Sequence, residues 1–197
     1  MKPNLEAIAT LPITGDEKFH AGNGDLGFSV KDFWTWSVSD LMGNVTRGRL
    51  AEFLVAKAIG AIEGVRNEWA TYDLTTPSEI KVEVKSAAYL QSWLQDDYST
   101  IQFNIEPTKE LDLIKGGYRG NAKRHAHVYV FAVLAHKDKP TVDPLNVSQW
   151  EFYVVPTTAL DERTRSQHSI TLKSLAELSG GSVGYSQLAE KIKSLKK

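Results

Sequence analysis

The chain has 197 residues, 42% hydrophobic and 24% charged, which is enough to bury one good core in the manner of an ordinary globular protein. Its net charge of −1 argues against a surface coated in positive charge for unspecific nucleic-acid binding. It leaves room for a local basic groove, because attraction to phosphate depends on where Lys and Arg sit.

No apolar run approaches the roughly 20 residues that span a bilayer. The N-terminal MKPNLEAIATLPITGDE lacks the apolar stretch of a signal peptide, and the absence of cysteine excludes disulfides and thiolate metal sites. These features predict a cytoplasmic protein with no membrane attachment.

Residues 1–38 read as an irregular extension, with turn-rich GNGDLGF at 22–28 and aromatic-rich DFWTW at 32–36. The rings are expected to cap a core. A helix is predicted from about Ser39 to Ile62, with Ser39 as N-cap, Asp40 in the first turn, and Leu41, Val45, Phe53, Ala56 and Ile59 at helical spacing. Glu52 lies in it beside apolar neighbours, and if it points inward it needs a partner.

Residues 68–74 and 80–86 then read as two strands joined by the turn TTPS, a hairpin. STIQFNI (99–105) reads as another strand. HVYVFAVLA (127–135) has the continuous β-branched and aromatic character of a central strand buried on both faces, and QWEFYVVP (149–156) is a strand stopped by Pro156. The segment 108–127 is basic, with Lys109, Lys115, Arg119, Lys123 and Arg124. A helix starts at SLAEL, with Ser174 and Glu177 spaced as a capping box, and the tail places Tyr185, Leu188, Ile192 and Leu195 on one helical face. The order predicts one α/β domain over 1–197, with a core at about 39–178 around a single sheet and a C-terminal helix at about 184–197.

Residues two apart on a strand share a face, so Ile80, Val82 and Val84 point one way while Lys81, Glu83 and Lys85 point the other. By itself that is an amphipathic strand, and the acid-any-lysine spacing also occurs at Asp16-Glu17-Lys18 and Glu79-Ile80-Lys81. Its surroundings add to it. Asp73 ends the preceding strand, so the hairpin brings its carboxylate to that of Glu83. Acids held that close repel unless a hard cation such as Mg²⁺ sits between them, with the Val84 carbonyl as a further ligand. Lys85 shares the face of Glu83 and can orient a water or steady a phosphate. Ser86-Ala87-Ala88 leaves room beside the charges, and Ser86, Gln91 and Trp93 can reach a backbone or a base edge. Glu52, across the sheet, is a further acid for the same cation, directly or through water.

RGRLAEFLVAKAIG (47–60) followed by EWATYDLTTPSEIKVEVKSAAYLQSW (68–93) resembles the PD-(D/E)XK nuclease superfamily, the restriction-endonuclease-like fold. That pattern is a helix bearing a Glu, an Asp before a hairpin, and acid-any-Lys in the next strand, here Glu52, Asp73, and Glu83 with Lys85. The resemblance covers residues 40–135 and departs at Tyr72, where the pattern has a Pro that is often absent in such proteins. It implies a mixed central sheet flanked by helices and Mg²⁺-dependent (or Mn²⁺-dependent) hydrolysis of phosphodiester bonds, with DNA as the partner. Catalysis falls to Glu52, Asp73, Glu83 and Lys85. Substrate binding falls to Ser86, Gln91, Trp93, Lys115, Arg119, Lys123 and Arg124. A homodimer would suit double-strand cutting. The alternative is an inactive module of the same fold that binds nucleic acid or a protein. His125-Ala126-His127 lacks a third ligand for a metal, and neither GxxxxGK nor GxSxG occurs.

Overall fold

The computed structural model describes residues 3, 5, 8–62, 64–111 and 117–195. The backbone divides into two compact units, residues 1–39 with 63–68, and residues 40–62 with 69–197.

The first unit is more regular than its sequence suggests. Strands β1 (Lys18–Ala21) and β2 (Gly24–Ser29) form an antiparallel hairpin, and helix α1 (Val30–Val38) follows at once. Gly22, at φ 60°, takes the left-handed turn between the strands. Phe19 and Phe28 stack across the hairpin, with centroids 4.8 Å apart. The helix starts because the Asp32 carboxylate accepts the Ser29 backbone N–H at 2.7 Å. DFWTW therefore lies on a helix rather than capping a core, and Trp36 is 83% exposed.

In the second unit helix α2 spans Asn44–Ile59, not Ser39–Ile62. Asp40 explains the late start: its side chain accepts N–H bonds from Met42 (3.0 Å) and Gly43 (3.1 Å), a local turn that competes with helix. Gly60 ends α2 in the left-handed conformation. The buried face carries Ala51, Leu54, Val55 and Ala56, whereas Val45 and Phe53, which share the helical spacing, are 70% and 51% exposed. Phe53 sits under the Lys57 ammonium instead.

Strands β3 (Leu74–Thr75) and β4 (Lys81–Ala88) follow, then β5 (Gln102–Asn104), β6 (Thr108–Leu111), β7 (Tyr118–Lys123), β8 (Val128–Leu134) and β9 (Trp150–Pro156). Helix α3 (Thr157–Asp161), strand β10 (Ser169–Thr171), and helices α4 (Leu172–Ser179) and α5 (Leu188–Ser194) complete the chain. The central sheet has four strands in the order β3-β4-β8-β9 and is mixed: β4 runs parallel to β8, and the other pairs are antiparallel. Every residue of β8 is buried, as its unbroken apolar run requires. Helices α2 and α5 cover one face, where Ala51, Val55, Leu188 and Ile192 meet Val82, Val84, Val130 and Phe152. The β5–β10 pair, α3 and α4 cover the other, where Phe103, Leu160, Ile170 and Leu175 meet Phe131, Val133 and Val155. The structure thus has the central mixed sheet and flanking helices expected of an α/β nuclease-like core.

Three local readings change. The basic segment contains the antiparallel pair β6–β7, with residues 112–116 outside the described residues. Strand β10 has no counterpart in the sequence reading, because its pairing with β5 is a long-range contact. The cap of α4 is Thr171, whose hydroxyl accepts the Ser174 N–H, rather than Ser174 itself.

Candidate active site

Strand β3 pairs with the start of β4 through Leu74–Val82 and Thr75–Lys81, which brings Asp73 level with Glu83. The reversal runs through Thr76 to Glu79, and Thr76 holds it from both sides, its hydroxyl accepting the Ile80 N–H at 3.0 Å. The Asp73 N–H donates to the Val82 carbonyl at 3.1 Å, and its carboxylate accepts the Val84 N–H at 2.7 Å. Because β3 is only two residues long, β4 is an open edge beyond that point. The carbonyl and N–H of one strand residue point the same way, so the Val84 carbonyl opens to the edge where Asp73 sits.

Burial, Glu83 and Glu52 push the Asp73 carboxyl up to about 7, against the opposing pull of the Val84 N–H and Lys85. The structure therefore brings together the acids the sequence singled out: half-buried Glu52 from α2, Asp73, and Glu83 from β4. Asp73 stands just before β3 rather than at the end of a strand over 68–74, because only Leu74 and Thr75 pair with β4. Lys85 joins them. Its Nζ lies 2.6 Å from Glu83 Oε1, and the two side chains are only 34% and 18% exposed.

Glu83 and Lys85 also line a cavity of about 210 Å³ with Thr71, Asn104, Thr108, His125 and Tyr129. Tyr129 lies beside Glu83 in the parallel register of β4 and β8. Burial and the Glu83 charge hold its phenol well above the ordinary tyrosine range, so it stays protonated. Sequence reasoning missed Tyr129, although its signal was available as the sole hydroxyl in VYVFAVL.

The proposed substrate-binding residues scatter. Ser86 and Gln91 are drawn into a buried network around Arg47, whose Nε donates to Ser86 Oγ (3.3 Å) and whose Nη1 donates to Gln91 Oε1 (3.4 Å). Arg47 also donates to the Met42 carbonyl and the Asn44 side chain, each at 2.7 Å. Burial pushes its pKa down while the charge of Asp40 opposes that shift.

Arg124 likewise faces inward. It donates to the Ile105 carbonyl (3.0 Å), the Gln167 carbonyl (3.0 Å) and Asp161 (2.5 Å), and its side chain is 1% exposed. Its job is to pin β5, α3 and the 161–169 loop together, because a buried guanidinium must satisfy its donors inside the protein. Trp93 is 54% exposed, and Arg119 and Lys123 are exposed on β7. Lys115 lies outside the described residues. His125 and His127 take separate partners, the Thr108 carbonyl and the Lys81 N–H.

Among the described residues no three His, Cys, Asp or Glu side chains gather into a metal cage. Two carboxylates, a backbone oxygen and a more distant acid are the kinds of oxygen donor that a hard divalent ion keeping several waters takes. The raised Asp73 carboxyl fits this, because a cation between mutually repelling acids would relieve them.

Taken together, the four-stranded mixed sheet and its flanking helices are consistent with an α/β nuclease-like core, with the acids and the lysine at an open strand edge. The profile of the bacteriophage T4 endonuclease IV family matches residues 30–174, well over half of the chain and all of the acidic site. The chain belongs to that family, and membership supports a nuclease acting on nucleic acid. Comparison with curated proteins finds no match. Among the described residues no helix is long and apolar enough to cross a membrane.

Proposed function

We propose that the chain is a divalent-metal-dependent endonuclease of the PD-(D/E)XK type that hydrolyses phosphodiester bonds in DNA. The observation that carries this reading is the buried carboxyl of Asp73, pushed up by Glu83 and Glu52 at an open strand edge with Lys85 alongside. Asp73, Glu83 and the Val84 carbonyl would hold Mg²⁺ or Mn²⁺, with Glu52 reaching it through water. The ion supplies Lewis acidity and a water of lowered pKa.

The chain's own groups then do the positioning. Asp73 Oδ2 is held by the Val84 N–H, which leaves Oδ1 as the oxygen to meet the ion. Lys85 holds its Nζ 2.6 Å from Glu83 Oε1. With Glu83 turned to a bound ion, that ammonium would be free to orient a water and to offset charge on the phosphate. In the hydrolysis a bond forms from water oxygen to phosphorus and the bond to the departing sugar oxygen breaks. Arg119 and Lys123 on β7 offer cations for the phosphate backbone, and exposed Trp93 offers a ring for stacking.

The test is cleavage of plasmid, linear, single-stranded and RNA substrates with Mg²⁺ or Mn²⁺, beside Asp73→Ala and Lys85→Ala. The expected result is DNA cleavage that needs the ion and disappears in both variants. Activity surviving both substitutions refutes the assignment. Nucleic-acid binding with neither cleavage nor metal binding would assign the inactive reading of the fold.

A further inference from the structure

Strand β8 is apolar along its length except for one side-chain atom, the phenolic oxygen of Tyr129. The residue is 5% exposed, and its ring packs on Phe131 with centroids 6.0 Å apart. Among the described residues the hydroxyl has no hydrogen-bond partner. A buried hydroxyl left unpaired is unfavourable, and phenylalanine would supply the same packing without it. The residue lines the cavity that Glu83 and Lys85 share. Two other polar groups there have partners: His125 Nε2 meets the Thr108 carbonyl at 3.0 Å, and Glu106 meets His168 at 3.2 Å.

Glu83 is bonded to Lys85 at 2.6 Å and lies beside Tyr129 in the sheet. If the carboxylate turns to a cation it gives up the ammonium, and its outer oxygen then needs another donor. We propose that Tyr129 is a positioning residue for Glu83: its phenol donates to the carboxylate when Glu83 leaves Lys85 for the divalent ion. That bond fixes the direction of the carboxylate and frees Lys85 for the substrate phosphate. The inference rests on the reading of Asp73 and Glu83 as metal-binding acids. Outer partners of this kind orient the groups that touch the metal, and losing one weakens metal binding or activity by about 10-fold to 100-fold.

The experiment compares the full chain with Tyr129→Phe by calorimetry with Mn²⁺, by kcat and KM on a DNA oligonucleotide, and by thermal unfolding in chelator. The expected result is Mn²⁺ affinity and kcat each lowered about 10-fold, KM unchanged, and a melting temperature equal to or above that of the wild type. Phe131→Leu loosens the same packing layer without touching the hydroxyl. It should lower the melting temperature and leave Mn²⁺ affinity intact. Wild-type Mn²⁺ affinity in Tyr129→Phe overturns the proposal, as does an equal loss in Phe131→Leu. A wild-type chain that binds no Mn²⁺ overturns the proposal together with the metal-site reading beneath it. A wild type that binds and cleaves, matched in both by Tyr129→Phe, overturns the proposal alone.

Discussion

The carboxylate of Asp73 accepts the backbone N–H of Val84 at 2.7 Å, which ties the end of one short strand to the open edge of the next. That bond fixes the acid in place while burial and two neighbouring acids work against its charge. Asp73 is thus fixed in a setting that penalises its charged form.

This strain has a sign in pH. The Asp73 carboxyl is raised from 3.8 to about 7, so the folded protein holds a proton that the unfolded chain has already lost between those values. Its contribution therefore makes the metal-free protein less stable as pH rises from about 4 to about 7. Asp73→Asn should flatten that slope and stabilise the metal-free protein at pH 8 by on the order of 2 kcal/mol. Urea unfolding in chelator at pH 5 and pH 8 measures it. Added Mn²⁺ should stabilise the wild type at pH 8 and leave Asp73→Asn unmoved.

Lys85 competes with any cation for Glu83, because its ammonium already sits 2.6 Å from that carboxylate. Lys85→Ala should therefore lower kcat by about 100-fold or more while binding Mn²⁺ at least as tightly as the wild type. Single-turnover cleavage and calorimetry separate the two effects. Weakened metal binding in this variant would mean that Lys85 supports the ion rather than the phosphate.

Neighbouring basic residues should behave in opposite ways. Arg124→Ala removes a buried guanidinium with three internal acceptors and should cost about 3 kcal/mol of stability. Lys123→Ala, on the exposed face of β7, should leave stability unchanged, weaken DNA binding across all sequences, and reduce the salt slope by about 1. Chemical denaturation and binding titrations across salt concentrations check the pair.

The face of α2 makes a simple comparison. Leu54 is 9% exposed and Phe53 is 51% exposed. Leu54→Ala should destabilise by about 2–5 kcal/mol. Phe53→Ala should stay within about 0.5 kcal/mol, in line with a surface substitution. Equal losses would put the helix in a different rotation from the one described.

The acidic site was legible because its parts follow short-range rules. Alternation along Lys81–Ala88 put Glu83 and Lys85 on one face, and the turn between Asp73 and Glu83 made them neighbours. The continuous apolar run of β8 announced a central strand, and Leu188 and Ile192 announced the buried side of α5. The start of α2 was misread because the side chain of Asp40 competes for the backbone N–H groups of Met42 and Gly43. The same local chemistry hid α1, whose start depends on Asp32 reaching back to Ser29.

Sequence alone determined the strand faces, the central strand and the order of the acids, because these depend on residues a few positions apart. Tertiary structure decided the rest. It turned Arg124 inward onto Ile105, Asp161 and Gln167, drew Ser86 and Gln91 to Arg47, and set Tyr129 beside Glu83. Each of those outcomes joins residues far apart in the chain. Whether a polar side chain meets solvent or an internal partner is settled only when the elements that bury it have packed.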